Sequence, residues 1–313
     1  MVPVGHEGPY WWENAYADFA LPTQIDDGTP AGAGGRGRYT ISSASQPSLV
    51  ARMLETLRVR DGMRVLEIGT ATGYNAALLS ARLGTDNVTT IEVDPHLAEQ
   101  GRAVLASAGF KPTVVCGDGA LGVRGGVPFD HVLATVAAKR IPYAWVEQTR
   151  PGGLAVTPWS NDYAATALLR LEVGHDGTAS DRPIGDAPFM WLRDQRSAKG
   201  AWSDHVDRDA PVRRSQTAVD PRPLAEPRSG AEFAVGAMVP HLVKALFHAR
   251  DGSGEYTLSL YDTHGSWASV DFVPGAAEYA VEQAGPRDLW EETEAAMAAQ
   301  PVTYPTEQLW TRA

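Results

Sequence analysis

The chain has a single cysteine, Cys116, among its 313 residues. That excludes an internal disulfide framework and leads us to expect a reducing compartment. No apolar run approaches about 18 residues, and Met1–Glu7 lacks both the basic and the apolar region of a signal peptide. The expectation is a cytoplasmic protein with no membrane partner. Eight histidines and one cysteine show no metal-ligand spacing, so no metal is expected. Basic residues are outnumbered, 27 Lys and Arg against 38 Asp and Glu, for a net charge of −11. Such a surface is poorly suited to phosphates, which argues against nucleic acid as a partner. Internal repeats are absent, and the strand–helix turn at 69–73, Gly-Thr-Ala-Thr-Gly, is not the Gly-x-Gly-x-x-Gly turn of dinucleotide-binding proteins. What remains is a globular composition, 43% hydrophobic and 21% charged, long enough for one large domain or two ordinary ones.

The most informative stretch is Arg64-Val65-Leu66-Glu67-Ile68-Gly69-Thr70-Ala71-Thr72-Gly73-Tyr74, followed at once by the helical pattern of residues 75–83. A strand that breaks into a glycine turn and then a helix lets a nucleoside-type ligand approach bare backbone at the strand's carboxyl end. Glu67 stands two positions before Gly69, where a carboxylate suits a cationic ligand better than a pyrophosphate. S-adenosylmethionine, with its sulfonium and ammonium groups, is the candidate. The bland alternative is a tight strand–helix turn in an ordinary α/β domain.

Strands and helices alternate from Met63 onward. Strands are expected at 64–68, 87–92, 113–116, 129–135, 154–157 and 166–173, with helices at 47–57, 75–83, 95–108 and a short one at 145–148. Connections too long for hairpins specify a mainly parallel sheet with helices on both faces. Residues 1–39 read as an irregular arm with an aromatic cluster (Tyr10-Trp11-Trp12, Tyr16) and a glycine-rich segment at 32–37. The Asp-, Arg-, Pro- and Ser-rich stretch 196–230 reads as a linker between a domain at 40–195 and a smaller α+β extension at 231–313. Within that extension, strands are expected at 256–261 and 267–273 and a helix at about 286–299.

Glu92 ends the second strand, 25 residues after Glu67, where a ribose diol receives its hydrogen bonds, with Val93 beside it. Gly117-Asp118-Gly119 ends the third strand: the glycines leave room for a flat base, and Asp118 can accept from an adenine amine. Each has a structural alternative, a solvated strand-end Glu and an Asp-Gly turn. Together they outline an adenosine site. Upstream, Thr40-Ile41-Ser42-Ser43-Ala44-Ser45-Gln46-Pro47 is hydroxyl-rich beyond what capping the helix at Pro47 requires, with Ser45 or Gln46 the expected cap.

Residues 40–160 resemble the protein-L-isoaspartate O-methyltransferases. The resemblance rests on the Ser-rich, Pro-terminated loop, Val65–Tyr74, Gly117-Asp118-Gly119, Pro128-Phe129-Asp130, Ala134-Thr135-Val136-Ala137-Ala138, Ile141-Pro142 and Arg150-Pro151-Gly152-Gly153. It implies a Rossmann-like class I methyltransferase fold using S-adenosylmethionine. The cofactor would be held by Glu67, Gly69, Thr70, Ala71, Gly73, Glu92, Val93, Gly117, Asp118, Gly119 and Thr135. It also implies a loop serine that meets the substrate carboxylate. Without a gap to Pro47 this is Ser45, with Ser43 as helper; aligned on Thr40-Ile41 it is Ser42. Ala71 stands where the family usually has glycine, a mild departure, and the family usually ends soon after the methyltransferase domain.

The continuation is similar to a subset associated with ribosomally made peptide natural products. Its marks are Ser266-Trp267-Ala268 and Val281-x-Gln283-x-Gly285-Pro286-Arg287-x-Leu289-Trp290. That resemblance implies methylation of an Asp carboxylate in a constrained lanthipeptide-type precursor, leading through the methyl ester to an aspartimide or isoaspartate. Repair of isoaspartyl proteins is the other activity in view, and an inactive cofactor-binding scaffold is the non-enzyme one. An acceptor carboxylate is already charged at neutral pH, since Asp titrates near about 4. No general base is needed, and the lack of a Ser/His/Asp or Cys/His constellation is expected.

Overall fold

Short runs of β-branched residues alternating with amphipathic helices build the first of two units in this computed structural model. It describes residues 9–29, 39–125, 128–180, 183–196, 202–207, 210–227, 229–299 and 310–311. One unit comprises the chain to Trp159 with Leu168–Gln195, the other Ser160–Ala167 with Arg196–Trp310.

The first unit opens with α1 (Pro9–Ala15), β1 (Leu21–Ile25), β2 (Thr40–Ala44) and α2 (Pro47–Leu57). β1 and β2 pair antiparallel, Leu21 opposite Ala44 and Ile25 opposite Thr40. The expected boundary at 39/40 therefore falls inside a hairpin, and the serine-rich segment is largely strand. Pairing across so long a connection leaves no local signature. The glycine-rich segment 32–37 lies outside the described residues, as do the side chains of Tyr10 and Trp11. Trp12 and Tyr16 stack on each other with ring centroids 5.9 Å apart. α2 starts as expected at Pro47, but Gln46 provides no side-chain cap. Asp18 does so instead: its carboxylate accepts the Ser48 N–H at 2.9 Å and the Gln46 amide at 3.1 Å.

The order continues β3 (Val65–Ile68), α3 (Tyr74–Leu83), β4 (Val88–Glu92), α4 (Pro95–Ser107), β5 (Thr113–Cys116), β6 (Phe129–Ala134), β7 (Ile141–Pro142), α5 (Tyr143–Glu147), β8 (Thr149–Trp159), β9 (Ala167–Val173) and β10 (Ala179–Ser180). A seven-stranded sheet runs β10-β9-β8-β6-β3-β4-β5, with β8-β6-β3-β4-β5 parallel. This is the expected mainly parallel, Rossmann-like arrangement. Leu49, Met53 and Leu57 of α2 and Leu79 and Leu83 of α3 share a core with Val65, Val88, Leu133 and Val156 of the sheet. The strand order reverses between β3 and β6, the crevice where open α/β sheets receive ligands.

The second unit contains α6 (Trp202–His205), β11 (Arg213–Thr217), α7 (Arg222–Ala225), α8 (Gly230–Met238), β12 (Val243–His248), β13 (Tyr256–Tyr261), β14 (Trp267–Phe272), β15 (Tyr279–Ala284) and α9 (Leu289–Ala298). Its antiparallel sheet runs β11-β15-β14-β13-β12. β11 lies in the stretch expected as a linker. It is an edge strand, exposed at its first four residues, so it shows no apolar alternation. α8 begins at Gly230, capped by Ser229 Oγ accepting from the Glu232 N–H at 2.9 Å. Lys244 pairs with the buried Glu232 and donates to Leu224 O at 3.0 Å.

Candidate cofactor and acceptor site

The turn between β3 and α3 is built by left-handed backbone and held from β6. Gly69 has φ +100°, and a Cβ there would stand 2.8 Å from Thr135 Oγ1. That hydroxyl donates to Gly69 O at 2.8 Å and Ile68 O at 3.1 Å. Gly73, with φ +76°, caps α3, and a Cβ there would press on Leu105 Cγ at 3.0 Å. Ala71 also has positive φ, +42°. The substitution expected to be mild thus keeps a glycine-type backbone and bears a Cβ in it, a strained combination.

Glu67 was expected to present its carboxylate to a cationic ligand. Its side chain is fully buried beneath the turn in the ligand-free protein. Oε1 accepts from Asn75 Nδ2 and Oε2 from Thr90 Oγ1, each at 2.6 Å. Thr90 Oγ1 also lies 2.8 Å from Thr70 Oγ1. Burial, with the Glu92 charge adding, pushes Glu67 up to about 7 against the hydrogen bonds from Thr90 and Asn75. Asn75, absent from the sequence-based site, places a second buried acceptor here: its Oδ1 has no hydrogen-bond partner. Its signal was slight, one amide at the start of an otherwise apolar helix.

At the tip of β4, Glu92 Oε2 accepts from the Ala71 N–H at 3.0 Å and Oε1 from the Asp94 N–H at 3.1 Å. Each oxygen keeps a further lone pair. Val93 beside it is 39% exposed. At the tip of β5, Asp118 is exposed and takes the Ala120 N–H at 2.9 Å. The two flanking glycines differ. A Cβ on Gly117 would make ordinary contact, 3.5 Å from Ile91 Cδ1, whereas one on Gly119 would be 2.6 Å from Ile68 Cγ2. Packing on the sheet therefore by itself requires glycine at 119.

Ser42 and Ser43 are neighbours on β2 and so point to opposite faces, while Ser45 follows the strand. Ser42 is buried and accepts from Thr23 Oγ1 at 3.0 Å. Ser43 and Ser45 are half-buried. Nearby, Asp94 caps α4 through the His96 and Leu97 N–H groups at 2.9 and 3.2 Å and receives Arg193 at 3.3 Å and Gln24 at 3.4 Å. Burial pushes its carboxyl up, but the hydrogen bonds outweigh it and hold Asp94 below the usual range. A cleft of about 410 Å³ is lined here by Thr23, Gln24, Asp27, Asp94, His96 and Gln100. Among the described residues, no three His, Cys, Asp or Glu side chains gather to hold a metal, and no helix is long and apolar enough to cross a membrane.

The sequence profile described as Protein-L-isoaspartate(D-aspartate) O-methyltransferase (PCMT) matches residues 9–196. The protein-L-isoaspartate O-methyltransferase of Pyrococcus abyssi is 35% identical over 181 residues, 58% of this chain and 79% of that protein. The enzyme of that name from Ignicoccus hospitalis is 40% identical over 169 residues, 53% of this chain and 77% of its own. A solved structure of a protein-L-isoaspartate O-methyltransferase superposes with TM-score 0.54 and 21% identity, covering 96% of this chain and 84% of that one. That likeness speaks to the fold.

Proposed function

We propose, since the chain belongs to the protein-L-isoaspartate(D-aspartate) O-methyltransferase family, that it esterifies the free carboxylate of an L-isoaspartyl residue in peptides and proteins. It is a carboxyl O-methyltransferase whose cofactor is S-adenosylmethionine. The observation that carries the reading is the pair of buried acceptors under the glycine turn. Among the described residues the Glu67 carboxylate has no counter-cation and Asn75 Oδ1 has no donor. Both fit a ligand bearing positive charge and N–H donors.

When bound, the cofactor supplies a methyl group on a sulfonium. Glu92 would receive the ribose hydroxyls with its remaining lone pairs, and Asp118 the adenine amine. Ser45 and Ser43 would hold the acceptor carboxylate without neutralising it, and the backbone at Thr135-Val136-Ala137 would form the opposite wall. A carboxylate is already ionised at neutral pH, so the protein's task is alignment of oxygen, methyl carbon and sulfur. The methyl ester is a better electrophile than the carboxylate, which lets the next backbone nitrogen close a succinimide with loss of methanol.

Methylation of Asp in a cyclised precursor peptide is the narrower alternative, and its motifs have internal explanations. Ser266 is fully buried and accepts the Arg287 N–H at 3.2 Å. Arg287 is engaged by Asp262 and Glu292. These residues build the second unit, so they give no reason to prefer a cyclised substrate. Incubation with labelled cofactor and an isoaspartyl peptide, its Asp isomer or a cyclised Asp peptide tests the reading. Base-labile methyl ester is expected on the isoaspartyl peptide; turnover of the cyclised peptide alone would overturn the proposal. Calorimetric cofactor binding without methyl release on any peptide would identify a scaffold.

A further inference from the structure

Three buried carboxylates among the described residues are paired with cations: Glu232 with Lys244, Asp262 with Arg287, and Asp94 with Arg193; Glu92 instead receives two backbone N–H groups at the strand tip. Glu67 is different. From α3 it meets the Asn75 amide, from β4 the Thr90 hydroxyl, and its register neighbour on β6 is Leu133. Among the described residues no Lys, Arg or His pairs with it. The charge that acts on it is that of Glu92, which has the same sign. Burial without a counter-cation favours the protonated form of such a carboxyl, and an arriving positive charge favours the ionised one.

Resting on the methyltransferase reading above, we propose that cofactor binding drives the proton off Glu67. The carboxylate then becomes the counter-ion of the ligand and favours the sulfonium cofactor over its thioether product. The balance is simple. The Glu67 carboxyl O–H bond breaks, Thr90 Oγ1 accepts that proton while passing its own to Thr70 Oγ1, and the proton leaves to solvent. Thr90 Oγ1 stands 2.6 Å from Glu67 Oε2 and 2.8 Å from Thr70 Oγ1, with Thr70 the outer member, 3% exposed. Methyl transfer removes the sulfonium charge, the carboxylate recovers a proton, and the product loosens. Glu67 thereby discriminates the two forms of the cofactor by charge.

Titration calorimetry of the full chain tests this with S-adenosylmethionine and S-adenosylhomocysteine, in phosphate and MES at the lower pH and in phosphate and Tris at the higher. Close to one proton should be released on binding the sulfonium form near about pH 6 and little near about pH 8. Preference for it over the thioether should grow roughly tenfold across that range. Glu67→Gln should abolish the release and flatten the preference. Thr90→Val removes a donor that supports the ionised carboxylate and should move the release to higher pH, which keeps the test available if Glu67→Gln does not fold. Heats independent of buffer, or release undiminished in Glu67→Gln, overturn the inference. Isoaspartyl methylation without proton release removes it alone. Release without methylation of any isoaspartyl peptide removes the substrate reading alone, and absence of cofactor binding removes both.

Discussion

Glu92 Oε2 receives the backbone N–H of Ala71 at 3.0 Å, joining the tip of β4 to the turn that follows β3. The bond fixes Ala71 in left-handed backbone and holds the Glu92 carboxylate at the mouth of the crevice. One interaction thus shapes both the turn and the residue expected to receive a ribose.

Ala71 bears a Cβ at φ +42°. Ala71→Gly relieves the left-handed penalty of roughly 1–2 kcal/mol and gives back part of it as unfolded-chain entropy, for a net stabilisation of about 0.5–1 kcal/mol. Urea denaturation at neutral pH measures this, and a lower midpoint than wild type would contradict the strain argument.

The folded-state Glu67 titrates at about 7, above its usual value of 4.5. The folded protein therefore binds one more proton than the unfolded chain between these values. Its contribution to stability is present in full below pH 4.5 and is lost as pH rises to about 7, a decline of about 3 kcal/mol. Stability of the ligand-free protein should fall with pH across this window, and Glu67→Gln should flatten the decline.

Ser42 and Ser45 should respond differently. Ser45→Ala removes a hydrogen bond to a charged acceptor, worth about 1.5–3 kcal/mol, and should lower kcat/KM for an isoaspartyl peptide about 10- to 100-fold with cofactor affinity unchanged. Ser42 is buried and engaged by Thr23, so Ser42→Ala should lower the melting temperature more than it lowers turnover. The reverse ranking in steady-state kinetics would reassign the acceptor serine to Ser42.

In the second unit, Glu232 is 3% and Lys244 16% exposed. Lys244→Met strands a buried carboxylate and should cost about 3–5 kcal/mol, whereas Lys244→Met combined with Glu232→Leu should recover most of it. Denaturant titration of the two variants separates the pair's net contribution from the penalty of breaking it.

Much of the architecture was legible where periodicity and turn chemistry act within a dozen residues. β5 at Thr113–Cys116, β13 at Tyr256–Tyr261 and the starts of α2 and α4 at Pro47 and Pro95 stand where the sequence places them. So do the glycine turn at 69–73 and the parallel alternation that brings the tips of β3, β4 and β5 together. Buried strands must be apolar and turns must contain residues tolerant of positive φ, so these elements are recorded locally.

Other features depended on neighbours remote in the chain. β1 and β11 are strands because β2 and β15 lie beside them; neither has a buried face to impose alternation. The cap of α2 comes from Asp18, far outside any local capping pattern. A carboxylate two residues before a glycine was readable, but its burial was not. Only when Asn75 and Thr90 close around Glu67, with Leu133 opposite it, does a residue expected to face a ligand become an unpaired acid beneath the turn. Charge and spacing are written along the chain; desolvation is a property of what packs around a residue in three dimensions.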